Sequence, residues 1–177
     1  PIKDSIILLQ QVLSTYLPDL QRVQQAYTNL QKYTQGNSYY YEALSARAYT
    51  CKNQLYDPKT AKILYEEILE YNPNDFYALA ALAELHGAAV FNQPKEATKL
   101  WKRAFSVYMD DPHYLVKYIT FLMLDVDEKE AAESYLEYLN EFCYKDIRQE
   151  EQWRFYKLNT EDRARFDKAC QLILNEQ

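Results

Sequence analysis

Apolar residues follow one another three or four positions apart along most of this chain, which is the spacing of one face of an α-helix. The stretch 38–55 shows this spacing, with the stripe Tyr40, Leu44, Ala48, Cys51 and Leu55. Stripes of the same kind predict about ten helices, which begin near residues 2, 18, 38, 58, 75, 94, 112, 128, 147 and 161. The hydrophobic pattern therefore predicts an all-α fold.

Polar residues mark the points where these helices begin. Asp57 precedes Pro58 and Asp111 precedes Pro112, and an N-cap side chain followed by a proline at the first helical position favours a helix start. The other predicted caps are Asn37 or Ser38, Asn74 or Asp75, Asp127, and Thr160. Short capped turns are therefore expected between successive helices.

One register of residues recurs three times, at intervals of 36 and then 34 positions. The residues in register are Lys59, Lys95 and Lys129, then Ala61, Ala97 and Ala131, then Tyr65, Trp101 and Tyr135. A repeat of this length holds two helices, and one pair of helices cannot bury its apolar face without a neighbouring pair. The repeat therefore predicts helix pairs stacked on one another.

The second helix of each copy resembles that of the tetratricopeptide repeat family, in which alanine, an aromatic residue, alanine and proline follow one another. The matching residues are Ala61, Tyr65 and Pro73, then Ala97, Trp101 and Ala104, then Ala131 and Tyr135. The departures are Ile68, Tyr138 and a proline displaced to Pro112. The buried positions of the family's first helix are matched by Leu79, Leu82, Ala83 and His86, and by Leu115, Tyr118, Ile119 and Leu122.

This resemblance implies a right-handed α-α superhelix of about ten helices, in a single helical-repeat domain that spans residues 1–177. The domain is expected to consist of an N-terminal helical hairpin (1–37), the best-defined repeats (38–143) and C-terminal capping helices (144–177). The segments "LVKYITFL" and "LWKRAF" also resemble the half-a-tetratricopeptide variant of RNA-processing scaffolds, in which aromatic residues replace small ones.

The composition adds limits on the partners. Gly occurs twice, which leaves few of the turn residues that β-hairpins need. The net charge is -6, whereas a nucleic-acid-binding face must be basic. Ten carboxylates against three basic groups lie between Asp125 and Glu151, which indicates a solvated face or a surface for a basic partner. No direct nucleic-acid binding is expected.

The cysteines and the apolar runs bear on the compartment. Cys51, Cys143 and Cys170 are odd in number and far apart, so the sequence indicates neither a disulfide framework nor a zinc site. A reducing compartment, the cytoplasm, fits best. No run reaches the roughly 20 apolar residues of a membrane span, and no membrane insertion is expected.

Residue patterns that carry enzyme chemistry are missing from the sequence. It contains no phosphate-binding glycine loop, no nucleophile elbow and no metal-binding histidine motif. His86 occupies a position expected to be buried, and His113 follows a helix-starting proline. We therefore predict a protein that is not an enzyme and that has no catalytic residue, cofactor or metal.

The resemblance implies a concave groove lined by the first helices of successive repeats. Its predicted lining is Tyr77, Glu84, His113, Lys117 and Thr120, joined by Tyr49 and Lys52. We predict a non-catalytic interaction module, a scaffold or adaptor, that binds a peptide or protein segment in this groove. A cluster of Lys, Arg and Asn that would hold a carboxylate tail is not expected there. The alternative is an assembly subunit that dimerises and organises an RNA-processing complex, so homo-oligomerisation stays open.

Overall fold

Eight α-helices and one π-helical segment make up the regular structure of residues 20–143 and 160–174, the part of the chain that the computed structural model describes. They are α1 (Leu20–Leu30), α2 (Tyr40–Asn53), α3 (Pro58–Tyr71), α4 (Phe76–His86), α5 (Pro94–Val107), α6 (Pro112–Leu124), α7 (Lys129–Tyr138), the π-helical segment Leu139–Cys143, and α8 (Thr160–Leu174). No strand occurs among these residues. The predicted all-α fold is confirmed there, while the predicted helices near 2–16 and 147–157 lie outside the described residues.

Three aspartates begin helices where the sequence predicts it. The Asp57 carboxylate accepts the backbone N–H of Thr60 at 3.1 Å, and that of Asp75 accepts the N–H of Ala78 at 2.7 Å. Asp111 accepts two N–H groups of the first turn of α6. Each carboxylate satisfies donors that have no partner inside their own helix.

Two other predicted caps are wrong. The N-cap of α2 is Tyr39 and makes no side-chain cap bond; Asn37, rather than capping the helix, accepts the Tyr39 N–H in the preceding turn. The N-cap of α7 is Glu128, and Asp127 lies before it with φ of 55°. A capping residue needs an extended φ, whereas Asp127 adopts the left-handed conformation that a tight turn requires.

Replacing Asp57 by alanine is expected to lower the free energy of unfolding by about 1 kcal/mol, because the first turn of α3 loses its side-chain acceptor. The Thr60 hydroxyl and then its N–H lower the pKa of Asp57, so this contribution is present at neutral pH and is lost as the pH falls through the lowered pKa. Urea unfolding would measure it. Glu128→Ala, at a cap without such a bond, should change stability by less than about 0.5 kcal/mol; equal losses would contradict the cap assignment.

The chain divides into two compact units, Pro1–Leu85 and His86–Gln177. In the first unit, α1 packs on α2 through Ala26, Leu30 and Ala43. α2 and α3 pack together and run antiparallel, because Tyr40 at the start of α2 contacts Tyr71 at the end of α3, with ring centroids 5.6 Å apart.

Two polar contacts show that α2 and α4 run in the same direction. The Tyr41 hydroxyl, at the start of α2, donates to the carboxylate of Asp75, directly before α4. Lys52, near the end of α2, bonds Glu84, near the end of α4, at 2.7 Å. Starts and ends therefore lie side by side, and α3 runs in the opposite direction.

Tyr118 of α6 contacts three other aromatic rings in the core of the second unit. Its ring stacks on Phe105 of α5 at 4.9 Å and on Trp101 at 5.5 Å, and meets Tyr135 of α7 edge-on at 4.9 Å. Burial raises the pKa of the Tyr118 phenol, so the ring stays neutral. α6 therefore packs against α5 and α7 through one aromatic cluster.

The buried stripe of α7, in the third copy of the repeat, is shifted by one residue from the register of the other two copies. Ala61 and Ala97 are fully buried in α3 and α5. In α7 the residue in sequence register, Ala131, is only half-buried, while Ala132 and Leu136 are buried. One residue corresponds to about 100° on a helix, so α7 packs with a neighbouring stripe, and Tyr135 stays partly exposed at the edge of the aromatic cluster.

α8 covers α6 and α7 in the second unit. Its buried residues are Phe166, Ala169 and Ile173. Arg165 donates to Asp125, the C-cap of α6, at 2.9 Å. This carboxylate also accepts the backbone N–H of Ala88, so it is a packing contact and does not belong to the solvated acidic face that the sequence predicts from Asp125 onward.

Candidate interaction surface

Four of the predicted groove residues lie on one side of the first unit, and we call Tyr49, Lys52, Tyr77 and Glu84 the α2–α4 surface. Tyr77 and Glu84 are seven residues apart on α4, which places them on the same helical stripe two turns apart. Tyr49 lies one turn before Lys52 on α2. The contact between Lys52 and Glu84 joins the two helices at one end of this surface.

The charges of the α2–α4 surface are already paired. The ammonium of Lys52 lies 2.7 Å from the Glu84 carboxylate, and their side chains are only 13% and 19% exposed. Tyr49 and Tyr77, by contrast, are 47% and 58% exposed. The surface therefore offers aromatic area next to a neutralised ion pair, rather than a net charge.

Two further tyrosines lie close to residues of this surface or of its helices. Tyr65 of α3 is buried, and its pKa is raised first by that burial and then by the charge of Glu84. Burial, followed by the hydrogen bond to Asp75, raises the pKa of Tyr41 to about 12. Both phenols stay protonated at neutral pH, so the hydrogen bond from Tyr41 that ties α2 to α4 persists across the physiological range.

The other three predicted residues lie on α6 in the second unit. Lys117 lies 3.9 Å from the carboxylate of Asp162 on α8 and 5.9 Å from the ring centroid of Tyr114. His113 is half-buried, and its ring meets that of Tyr114 edge-on at 5.1 Å. Lys117 is thus a second cation that already has a carboxylate nearby within its own unit.

Thr120 is corrected from a surface residue to a packing residue. Its side chain is buried, and its hydroxyl donates to the carbonyl of Val116 at 2.8 Å. A threonine that bonds the carbonyl four residues earlier in its own helix has satisfied its polar group locally. It therefore presents no anchor for a partner.

The structure brings Lys52 and Glu84 together and places Tyr49 and Tyr77 on the same two helices. Grouping these residues with His113 and Lys117 in one groove stays a prediction. Sequence reasoning missed the supporting contacts of Tyr41 with Asp75 and of Lys117 with Asp162. The first of these spans 34 positions, close to the repeat interval, so the periodicity contained a usable signal for it.

The described residues form neither a metal-binding cluster nor a membrane-spanning helix. Within residues 20–143 and 160–174 no group of three or more His, Cys, Asp or Glu side chains is placed to hold a metal ion. In the same part of the chain no helix has both the length and the apolar character needed to cross a bilayer. No protein-family model matches the sequence, and neither a curated protein nor a solved structure matches the chain.

Proposed function

We propose that this protein is a non-catalytic interaction module, a scaffold or adaptor that holds a peptide or protein segment on the α2–α4 surface. The observation that carries the proposal is the exposure of Tyr49 and Tyr77 beside the paired Lys52 and Glu84. Tyrosine is enriched among residues that dominate binding free energy, because its ring buries a large area and its hydroxyl finds a partner. A neutral, aromatic surface of this kind suits a segment with apolar anchor residues.

The architecture that we propose for the whole chain is a right-handed superhelix of about ten helices, similar to the tetratricopeptide repeat family. Its support is the repeat in the sequence together with the parallel direction of α2 and α4, with α3 antiparallel between them in the chain. Stacked helix pairs require this alternation.

The electrostatics disfavour a groove that captures a carboxylate tail. Lys52 already contacts Glu84, and Lys117 lies near Asp162. A carboxylate of the partner would have to displace a carboxylate of the protein at either position, with little net gain. We also propose that nucleic acid is not a direct partner, because the net charge of -6 repels phosphates.

The compartment we propose is the cytoplasm. Cys51 is a buried free thiol and Cys170 a half-buried one. Burial raises the pKa of Cys51, which keeps this sulfur protonated and poorly nucleophilic. Free thiols are typical of proteins in a reducing environment.

The adaptor role is favoured over an assembly subunit that dimerises. The aromatic residues that suggested the second role, Trp101, Phe105 and Tyr118, are buried in the core of the second unit. They stabilise that unit and offer no surface to another copy. A sedimentation mass that stays monomeric as the concentration rises would agree with the adaptor role, whereas a tight homodimer would favour the assembly subunit.

Replacing Tyr77 by alanine is expected to weaken partner binding by about 1 to 3 kcal/mol, mostly through faster dissociation, because an exposed aromatic anchor is lost. The partner would be captured with a photo-crosslinking residue at position 77, identified by mass spectrometry, and its affinity measured by biolayer interferometry. Ile63→Ala is the matched control, since Ile63 is also exposed in the first unit but lies on α3, outside the α2–α4 surface. Unchanged affinity of Tyr77→Ala with intact helicity would show that the α2–α4 surface is not the binding site.

A further inference from the structure

The outward face of α5 carries four cations, and we call Lys95, Lys99, Lys102 and Arg103 the α5 basic face. The buried residues of this helix are Ala97, Trp101, Ala104 and Phe105. At 100° per residue the four cations fall within about 100° of one another, on the side opposite these buried residues. All four are exposed. The face therefore points away from the core of the second unit.

The α5 basic face is positively charged, whereas the chain as a whole is negatively charged. The protein has a net charge of -6, yet the only carboxylate in α5 is Glu96. Glu96 lies 3.2 Å from Lys99, and the side chain of Lys99 is still 75% exposed. The positive field of α5 is thus only partly compensated by the helix itself.

An exposed apolar segment continues the basic face at the end of the helix. Val107, Tyr108 and Met109 follow one another there, and all three are exposed. Large apolar side chains that are exposed together next to a charged surface are typical of interaction sites. A ligand that follows α5 would therefore meet cations first and an apolar patch afterwards.

The length of the patch and the charge around it bear on the class of ligand. Phe105 of α5 contacts Tyr135 of α7, with ring centroids 5.9 Å apart, so α7 lies beside α5. The exposed carboxylates of α7 include Glu130 and Glu137. From Lys95 to Val107 the helical part of the patch is only about 18 Å long at 1.5 Å per residue. A nucleic acid or an anionic bilayer extends beyond this length, and the rest of its charge would face a chain with a net charge of -6.

We infer that the α5 basic face, together with Val107, Tyr108 and Met109, is a docking surface for a short acidic segment of a partner protein that carries apolar residues at one end. The cations attract the acidic part, and the apolar patch receives the rest. This surface lies in the second unit and does not depend on the α2–α4 surface. It adds a second class of partner contact to the proposed adaptor.

A labelled peptide of about six residues, glutamates followed by leucine and phenylalanine, tests the inference by fluorescence anisotropy at low salt; its extended length matches the patch. The variant Lys99→Glu/Lys102→Glu should bind at least about tenfold more weakly. Lys32→Glu/Lys59→Glu changes the net charge equally at exposed positions of the first unit and should lose less than about twofold, because neither lysine belongs to the α5 basic face. Circular dichroism would verify that both variants remain helical, and Lys99→Gln/Lys102→Gln should give an intermediate loss without adding negative charge.

The apolar part of the surface has its own test. Val107→Ser/Met109→Ser should weaken binding of this peptide by several-fold, yet leave binding of a peptide made only of glutamates unchanged. The inference is overturned if both charge-reversal variants lose affinity equally, or if the peptide does not bind the wild-type protein at about millimolar concentration. Tighter binding of an oligothymidylate or of phosphatidylserine vesicles, lost in Lys99→Glu/Lys102→Glu, would also overturn it.

Discussion

Replacing Trp101 by alanine is expected to lower the free energy of unfolding by about 3 to 5 kcal/mol, because a fully buried aromatic side chain leaves a cavity that the core cannot refill. The indole stacks on Phe105 at 5.9 Å and on Tyr118 at 5.5 Å. Both rings would lose a neighbour at once. Urea unfolding followed by circular dichroism would measure the loss.

The control for this prediction is Lys102→Ala, at the exposed position that follows Trp101 in α5. It should cost less than about 0.5 kcal/mol, as surface substitutions away from packing contacts do. Trp101→Phe keeps part of the stacking and should lie between the two. A loss for Trp101→Ala no larger than that of the control would show that the aromatic cluster does not stabilise the second unit.

Replacing Arg165 by methionine is expected to cost roughly 2 to 4 kcal/mol, because it leaves the carboxylate of Asp125 buried without its cation. The side chain of Asp125 is only 11% exposed, whereas that of Arg165 is 38% exposed. The cost should therefore arise mainly from Asp125. Adding Asp125→Asn to Arg165→Met should recover most of the stability, since asparagine still accepts the N–H of Ala88.

The same variant should depend on pH in a defined direction. Burial raises the pKa of Asp125 even with Arg165 present, and removing the cation raises it further. The folded state then binds a proton more readily than the unfolded state, so the deficit of Arg165→Met is largest at neutral pH and shrinks as the pH falls through the raised pKa. Thermal melts between about pH 7 and pH 4 would check this. A deficit that grows on acidification would contradict the assignment.

Much of the fold follows from local signals in the sequence. The stripe Leu44, Ala48 and Cys51 is buried as its spacing predicts, because burial on a helix depends on a period of 3.6 residues that the chain displays directly. The positions around Leu79 and Leu115 are buried as the resemblance to the repeat family implies. Asp57 and Asp111 were recognisable as caps because a proline follows each of them. Asp127 was not recognisable as a turn residue, because the cap and the left-handed turn both favour aspartate.

The candidate site was predictable in its members but not in its contacts. The repeat register placed Lys52 and Glu84 on first helices, yet it did not show that they neutralise one another, because pairing depends on the distance between two helices and on rotamers. Asp162 belongs to an element outside the best-defined repeats, so its contact with Lys117 has no periodic signal in the sequence. The one-residue shift of the buried stripe in α7 could not be recognised from the sequence either, because both Ala131 and Ala132 are alanines.

The two polar contacts between α2 and α4 also fix the position of one helix along the other. Tyr41 meets Asp75 at one end and Lys52 meets Glu84 at the other. A slip of a single residue would displace both contacts by about 1.5 Å, and a splaying of either end would stretch one of them. The two contacts therefore resist both sliding and separation of α2 and α4. A segment bound between Tyr49 and Tyr77 would meet two helices at a fixed spacing, so the segment itself would have to change conformation to fit.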